Sequence, residues 1–398
     1  MKTDSVRLRR NIKYCFMQGI YWMIACTAIA YASYFLLARG YTNAEIGVIM
    51  AGGYILGLIL QPLVAGYADR SVRLTPTAIL ALVCAATMLS VAALLLFRTH
   101  CLALSISYVL FLAIQLVLQP LVNAYAFYIE RLNTDIRFGI ARGCGSLAWG
   151  ILSAVLGVLT ERFGPDSVLW AALASLGMML VLLYLFHLEG PVPRAQAREG
   201  VQSESGLSVS SLIRNYRSFF FLILGYAMLF FGHSFIDNYP YQIVQDVGGS
   251  SGAMGAFVAY TALLEMPAMF LFEKLHEKFG SIRLLKFSAV FYLVKNTLTW
   301  LCRTLPGLYF ANFFQAISFA IMTPAAIRYA DETMDPRDSN KAQAYLTATI
   351  TTGNILSSLS GGALIDRTSV KTMLALGAVT ALIGAPLIVL GMKKKQEK

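Results

Sequence analysis

The feature that most constrains this chain is a succession of long apolar runs separated by short polar breaks. A transmembrane helix needs about 20 mostly apolar residues, at a rise of about 1.5 Å per residue. Only 13% of the residues are charged, whereas a soluble domain carries about 25%. Twelve runs predict spans at residues 14–38, 44–67, 75–97, 101–129, 139–160, 167–187, 218–243, 252–273, 284–302, 305–330, 343–364 and 371–391. The chain is therefore predicted to be an all-α, multi-pass membrane protein.

A polar stretch divides these spans six and six. It contains the letters GPVPRAQAREGVQSESG, which are typical of a flexible linker because they combine Pro, Gly, Ser and charged residues without apolar periodicity. Residues 189–217 are accordingly predicted to be a cytoplasmic linker. It would join an N-terminal six-helix bundle, residues 1–188, to a C-terminal six-helix bundle, residues 218–398.

The positions of the 32 Lys and Arg residues predict the orientation in the membrane. Short loops rich in Lys and Arg stay on the cytoplasmic side. With the N-terminus inside, the basic residues that fall in outer loops are Arg39, Arg98, Arg162, Arg303, Arg367 and Lys371. Both termini are therefore predicted to be cytoplasmic, in the cell (inner or plasma) membrane. The net charge of +11 is interpreted as a topology signal, and no nucleic-acid partner is expected.

Cofactor chemistry and enzymatic activity are not expected. The 6 cysteines stand singly, without a Cys-x-x-Cys pair. The sequence contains no phosphate-binding glycine loop and no Ser, His and Asp set in a catalytic context. We therefore predict neither a metal site nor a nucleotide-binding domain.

The two halves carry related inner loops. QPLVAGYADRSVRL follows span 2 and includes Asp69, Arg70 and Arg73, while FEKLHEKFGSIRLL follows span 8 and includes Glu277 and Lys278. An acid followed by bases at the same loop of each half indicates a duplicated six-helix unit, as in many secondary transporters. These residues are predicted to latch one conformation of two pseudo-symmetric bundles; the alternative is an ordinary solvated loop.

The loop after span 2 resembles a pattern of the major facilitator superfamily, Gly-x-x-x-Asp-Arg/Lys-x-Gly-Arg/Lys-Arg/Lys, which Asp69, Arg70 and Arg73 match. Ala65 and Val72 replace its two glycines. The stretches LQPLVAGYADR, AFYIER and FGIARGCGSLAW further resemble the lactose-permease-like oligosaccharide/proton symporters. The resemblance implies a major facilitator fold that works by alternating access as a monomer.

Span 5 carries a more specific part of this resemblance. In the permease pattern, an Arg is followed three residues later by Gly and seven later by a Trp that stacks on the sugar, and Arg142, Gly145 and Trp149 keep those spacings. Ala126 stands where the pattern has its galactoside-binding acid. The resemblance implies proton-coupled symport of a small polar organic solute, with a sugar or glycoside favoured.

Two charges lie within predicted spans. Glu265 and Lys295 are separated by similar numbers of residues from the inner ends of spans 8 and 9, so we expect them at the same depth. A charge in the hydrocarbon core costs at least about 2.5–3.5 kcal/mol, so it is expected to be paired or functional. The pair is predicted to couple proton movement to transport, with a fixed structural ion pair as the alternative.

Span 7 offers a second group of titratable side chains. His233 and Asp237 are four residues apart and so share one helix face, where they are predicted to share a proton. Asn238 and Tyr241 flank Pro240, which predicts a break in the helix near a binding site. The alternatives are a packed histidine and an aspartate hydrated at the outer surface.

Polar and aromatic side chains inside the spans are predicted to bind the solute. Amides and phenols beside an aromatic platform suit a hydroxyl-rich or ring-containing molecule. Individually, each of the aromatic residues could instead serve packing. The predicted residues are Gln18, Tyr21, Trp22, Asn123, Tyr125, Tyr128, Arg142 and Trp149 in the first half, and Asn312 and Gln315 with Asn238 and Tyr241 in the second.

Two other functions remain open from the sequence. A proton-coupled antiporter that exports drugs or metabolites would use the same fold, although span 5 lacks the Gly-Pro-x-x-Gly-Gly ending of the superfamily's antiporters. A membrane receptor would bind a ligand without moving it. The repeated inner loops and the charges within the spans favour a transporter over the receptor.

Overall fold

The computed structural model describes residues 2–71, 74–130, 136–185 and 214–392. Every regular element in these ranges is a helix, which confirms the all-α membrane fold predicted from the apolar runs. The α-helices are α1 (Lys2–Ala25), α2 (Ala32–Ala38), α3 (Asn43–Arg70), α4 (Pro76–Leu96), α5 (Leu102–Glu130), α6 (Phe138–Phe163), α7 (Asp166–Leu185), α8 (Arg217–Asn238), α9 (Pro240–Asp246), α10 (Ser251–Phe279), α11 (Ser281–Leu301), α12 (Leu305–Phe313), α13 (Phe319–Thr333), α14 (Pro336–Arg367) and α15 (Val370–Gly391).

Breaks interrupt the helices of predicted spans 1, 7 and 10. The π-helical segment Cys26–Ala30 joins α1 to α2 across a bend of 47°. Tyr239 separates α8 from α9, which begins at Pro240 because proline suits the first position of a helix, where no N–H partner is needed. The 3₁₀ turn Phe314–Ala316 joins α12 to α13. The break predicted at Pro240 is therefore present.

Length and apolar composition identify nine candidate membrane spans among the described residues, with α12 and α13 counted together over Leu305–Thr333, or ten if the bent pair in span 1 is also counted as one. Helices α11 and α14 are long enough but less apolar, because α11 carries Lys295 and Lys286 and α14 begins with the polar letters PRDSNKAQ. A helix or a broken helix nevertheless occupies each of the twelve predicted spans.

The chain forms two compact units. Unit 1 comprises Met1–Gly200 and Ser250–Ala262, and unit 2 comprises Val201–Gly249 and Leu263–Lys398. The first turns of α10 thus pack with unit 1, although the sequence assigns them to the second bundle. Most of the predicted linker, residues 189–213, lies outside the described residues.

The same helix pairings occur inside each unit. In unit 1, α1 packs against α6 and α7, and α4 packs against α5 and α7. In unit 2, α8 packs against α14 and α15, and α11 packs against α13 and α15. In terms of the predicted spans, span 1 packs against spans 5 and 6, and span 3 packs against spans 4 and 6. In the second half, span 7 likewise packs against spans 11 and 12, and span 9 packs against spans 10 and 12. This recurrence agrees with the internal repeat indicated by the two inner loops.

Candidate functional site

A chain of polar side chains crosses the interior of unit 2. Lys295 on α11 is fully buried, and its Nζ lies 3.1 Å from Nδ1 of His233 on α8. The same Nζ donates to Oε1 of Gln315, which lies in the 3₁₀ turn between α12 and α13. The amide Nε2 of Gln315 in turn donates to Oε1 of Glu265 on α10, at 2.7 Å. Four helical segments therefore meet at this series of polar side chains.

Asp237 is a further member of this series of polar side chains and lies one turn beyond His233 on α8. Its Oδ2 lies 3.3 Å from Nε2 of His233, an ion-pair distance without the alignment of a hydrogen bond. Half of the Asp237 side chain (50%) is accessible and Glu265 is half-buried, whereas the three residues between them are buried. We call Asp237, His233, Lys295, Gln315 and Glu265 the buried relay; its two accessible ends are carboxylates and its centre is closed.

The charges of the buried relay suit the binding of one proton. Two carboxylates face one ammonium group, so the relay carries one uncompensated negative charge when His233 is neutral. A charge within a membrane is costly unless it is paired, and each charged member here has a polar neighbour. Uptake of one proton by either carboxylate would neutralise the relay, and its release would restore the charge.

The structure brings together the two intramembrane charges that the sequence placed at the same depth. It joins Glu265 and Lys295 through the amide of Gln315, a residue that the sequence predicts to bind solute. The pair on span 7, His233 and Asp237, belongs to the same relay. The two groups predicted separately are thus one arrangement.

Unit 1 contains an aromatic cluster around Trp22, formed by Tyr21, Trp22, Arg142 and Trp149. The guanidinium carbon of Arg142 lies 3.9 Å from the centroid of the Trp22 ring, which is a cation–π distance. Trp149 and Tyr21 meet the same ring edge-on, with centroids 5.9 Å and 5.2 Å away. Gly145 of α6 faces Trp22, and a Cβ there would lie 2.3 Å from Cδ1 of that ring. The glycine therefore makes room for the indole.

Two buried polar atoms beside this cluster have no hydrogen-bond partner among the described residues. They are Nε1 of Trp22 and Oε1 of Gln115. Gln115 lies on α5 and donates its Nε2 to Oη of Tyr21 at 3.4 Å. A buried polar group without a partner is costly, so such atoms are candidates for ligand contacts. Gln115 is not among the residues predicted from the sequence, although, like Gln315, it is an amide inside an apolar run.

The other predicted residues of the first half form two further groups. The amide of Gln18 donates to Oη of Tyr14 at 2.8 Å and to Oδ1 of Asn123 at 3.0 Å, so the two predicted amides do meet. Tyr125 and Tyr128 have ring centroids 5.4 Å apart, and the Tyr125 hydroxyl lies 2.8 Å from Oγ1 of Thr77 on α4. The second group thus ties α5 to α4.

Asn238 has a structural role in unit 2. Its Nδ2 donates to Oγ of Ser357 at 2.8 Å and to Oγ of Ser358 at 3.0 Å, which fastens α8 to α14. Asn312 is buried on α12 and Tyr241 is half-buried on α9. Of the residues predicted for solute binding in this half, Gln315 is the one that the structure places in the buried relay.

The predicted latch is described only in part. Asp69 and Arg70 occupy the last turn of α3, and Arg73 lies outside the described residues. Glu277 and Lys278 are exposed near the end of α10. The latch stays a prediction.

Within the described ranges, no three His, Cys, Asp or Glu side chains are grouped so as to hold a metal ion.

The comparison that decides the family covers most of the chain. The model of the MFS_1 like family matches residues 12–375. The chain belongs to the MFS_1 like family. The resemblance to the major facilitator superfamily is thereby confirmed: the protein is a multi-pass integral membrane protein and a secondary transporter of small solutes, not an enzyme.

Relatives of this MFS_1 like family member are transporters of several solutes. "Maltose permease" of Geobacillus stearothermophilus is 25% identical over 371 residues, which cover 89% of this chain and 87% of the permease. The nucleoside transporter NupG superposes with a TM-score of 0.75 at 17% identity, over 98% of this chain and 99% of NupG. An auto-inhibited POT family peptide transporter gives a TM-score of 0.74 at 12% identity, over 98% of both chains. The two solved structures establish the shared fold.

Proposed function

We propose that the protein is a proton-coupled symporter that takes up a small polar organic solute, with a sugar or glycoside favoured. The buried relay carries this proposal. Two accessible carboxylates, Asp237 and Glu265, share one buried ammonium group at Lys295 through His233 and Gln315. When Glu265 binds a proton, Lys295 still has Asp237 as its counter-charge through the imidazole. The relay can therefore change its charge by one proton without leaving a buried cation unpaired.

The aromatic cluster supports a hydroxyl-rich solute. A sugar presents C–H faces that stack on an indole and hydroxyl groups that both donate and accept hydrogen bonds. Trp22 and Trp149 supply the ring faces, Nε1 of Trp22 supplies a donor and Oε1 of Gln115 supplies an acceptor. The similarity to a protein named maltose permease favours the same class of solute.

The remaining assignments belong to the same proposal. We place the protein in the cell membrane with both termini in the cytoplasm, because the predicted inner loops hold most of the basic residues. We take it to work as a monomer, as the family resemblance implies. The two bundles, residues 1–188 and 218–398, alternate access around the solute, with residues 189–217 as the cytoplasmic linker. Asp69, Arg70, Arg73, Glu277 and Lys278 latch one conformation at the inner side.

Uptake into proteoliposomes tests the function. The purified chain is offered radiolabelled maltose, other sugars, nucleosides and amino acids, with and without an inward proton gradient. Symport predicts that one solute accumulates above its external concentration and that an uncoupler abolishes the accumulation. Faster exit of preloaded solute under the gradient would instead indicate an antiporter. Saturable binding without any flux would indicate a receptor.

Glu265→Gln separates coupling from solute movement. The amide cannot release a proton, so we expect gradient-driven accumulation to disappear while exchange of labelled for unlabelled solute continues. Asp366→Asn is the matched control, because Asp366 is exposed at the end of α14 and lies outside the relay. Accumulation that is unchanged in Glu265→Gln would remove Glu265 from the coupling role.

A further inference from the structure

A groove in unit 2 lies where the start of α8 meets the end of α15. Its volume is about 480 Å³, within the range of about 300–1,000 Å³ typical of ligand pockets. Arg217 and Ser218 form its polar end, and Phe221, Ile383, Leu387 and Leu390 form much of its apolar wall. Neither the buried relay nor the aromatic cluster contributes to it.

The apolar wall follows from the spacing of residues on α15. Ile383, Pro386, Leu387 and Leu390 recur at intervals of three and four residues, so they share one helix face. The Ile383 side chain is 51% exposed and that of Leu390 is 75% exposed. Because α15 is a candidate membrane span, an apolar face exposed in this way contacts lipid chains.

Gly391 closes one side of the groove. A Cβ at this position would lie 2.5 Å from Cγ of Phe221, so only glycine lets the Phe221 ring pack against the last turn of α15. The ring also lies below the charge of Arg217, whose Cζ is 5.8 Å from the ring centroid. The apolar groove and the cation are thus continuous.

The polar end of the groove favours an anion. Arg217 is exposed and is the first residue of α8, and no side-chain oxygen of Tyr216 caps that helix. The N-terminus of a helix carries a partial positive charge, and the guanidinium group binds phosphate oxygens in a planar fork. Basic pockets between transmembrane helices on the cytoplasmic side are typical binding sites for anionic lipid head groups.

We infer that this groove seats one anionic phospholipid, with its phosphate at Arg217 and an acyl chain along Ile383, Leu387 and Leu390. The shape and the charge both point to a molecule with one anionic end and one long apolar end. The inference rests on the proposed orientation, which puts the start of α8 on the cytoplasmic side, and not on proton coupling, so it can fail while the proposed transport function holds, and the reverse.

Lipid binding to the full-length protein tests the inference. Phosphatidylglycerol and phosphatidylcholine are titrated onto the detergent-purified chain, and bound lipid is counted by native mass spectrometry. We expect phosphatidylglycerol to bind more tightly than phosphatidylcholine, and Arg217→Gln to weaken phosphatidylglycerol binding about tenfold, as the loss of one charge-assisted contact implies. Inorganic phosphate at the same concentration should not displace the lipid, because it lacks the chain.

Two further variants make the result specific. Ile383→Trp fills the apolar wall at a half-exposed position and should also weaken binding, whereas Arg283→Gln removes an exposed charge at the start of α11 and should not. Equal binding by the wild type and Arg217→Gln would overturn the inference. Displacement of the lipid by inorganic phosphate, or equal affinity for the two lipids, would also overturn it. So would a dimer without bound phosphatidylglycerol, because a second copy of the chain would then occupy the groove in place of the lipid.

Discussion

Nζ of Lys295 and Nδ1 of His233 lie 3.1 Å apart inside unit 2. An ammonium donates to a neutral imidazole nitrogen and an amine accepts from an imidazolium, so one proton serves both nitrogens. On the far side of the imidazole, Nε2 lies near Asp237, and on the far side of the ammonium stands the Gln315 carbonyl. The positive charge can therefore shift toward either carboxylate end without a large movement of side chains.

Removing the cation from the relay should destabilise the protein. Lys295→Met leaves Asp237 and Glu265 without a counter-charge, and we expect the free energy of unfolding to fall by about 1–3 kcal/mol, since both carboxylates keep some solvent. Gradient-driven uptake should be lost. Thermal unfolding in one detergent measures the first effect and proteoliposome uptake the second.

Adding Glu265→Gln to Lys295→Met provides the control. The double variant carries one uncompensated negative charge fewer, so part of the lost stability should return. A single Lys295→Met variant that unfolds at the wild-type temperature and still accumulates solute would show that the buried ammonium has no electrostatic role.

Gln315 should couple the two halves of the relay. Gln315→Leu keeps the approximate volume but removes the acceptor for Lys295 and the donor for Glu265. We expect the steady-state ratio of internal to external solute to fall toward one, while exchange continues. Gln343→Leu is the comparison, because that amide contacts Asp331 away from the relay. A wild-type accumulation ratio in Gln315→Leu would contradict the bridging role.

The fold followed from the sequence more completely than the site did. Apolar runs fix where helices form in a membrane, and Pro240 fixes a break through its missing N–H. Neither rule says which face of a helix turns toward its neighbours. The break at Phe314–Ala316 contains no Gly or Pro, so tertiary packing and not local sequence determines it. The bridging contacts of Gln315 depend on this break, so they too follow from tertiary packing. Gln115 was overlooked because its role appears only beside Tyr21 on another helix.

Gly145→Ala should disturb the aromatic cluster. The added Cβ would lie 2.3 Å from Cδ1 of Trp22, so the indole must move and its contact with Arg142 must weaken. If this cluster binds the solute, the displaced ring should bind it less well. A loss of binding energy on the scale of one cation–π contact, about 0.5–2 kcal/mol, corresponds to about a twofold to thirtyfold rise in the KM of uptake. Initial rates measure KM, and tryptophan fluorescence reports the displaced ring.

Gly139→Ala on the same helix is the matched control, since a Cβ there has no atom within 4 Å. It should leave both KM and fluorescence unchanged. If Gly145→Ala shifts the fluorescence but not KM, the cluster is a packing element and the solute binds elsewhere.

Gly232→Ala should loosen the contact between α8 and α15. A Cβ at Gly232 would lie 2.6 Å from the carbonyl oxygen of Gly377, and backbone cannot move aside as a side chain can. Such overpacking typically costs about 1–3 kcal/mol. Because His233 is the next residue, the same shift should move its imidazole away from Lys295 and reduce gradient-driven uptake.

Gly177→Ala on α7 is the control. An added Cβ there meets no atom of a neighbouring residue within 4 Å, so it should stabilise the protein by about 0.5–1 kcal/mol through helix propensity alone. The two variants should therefore shift the unfolding temperature in opposite directions, and a Gly232→Ala variant that unfolds at or above the wild-type temperature would show that α8 and α15 do not approach this closely at Gly232.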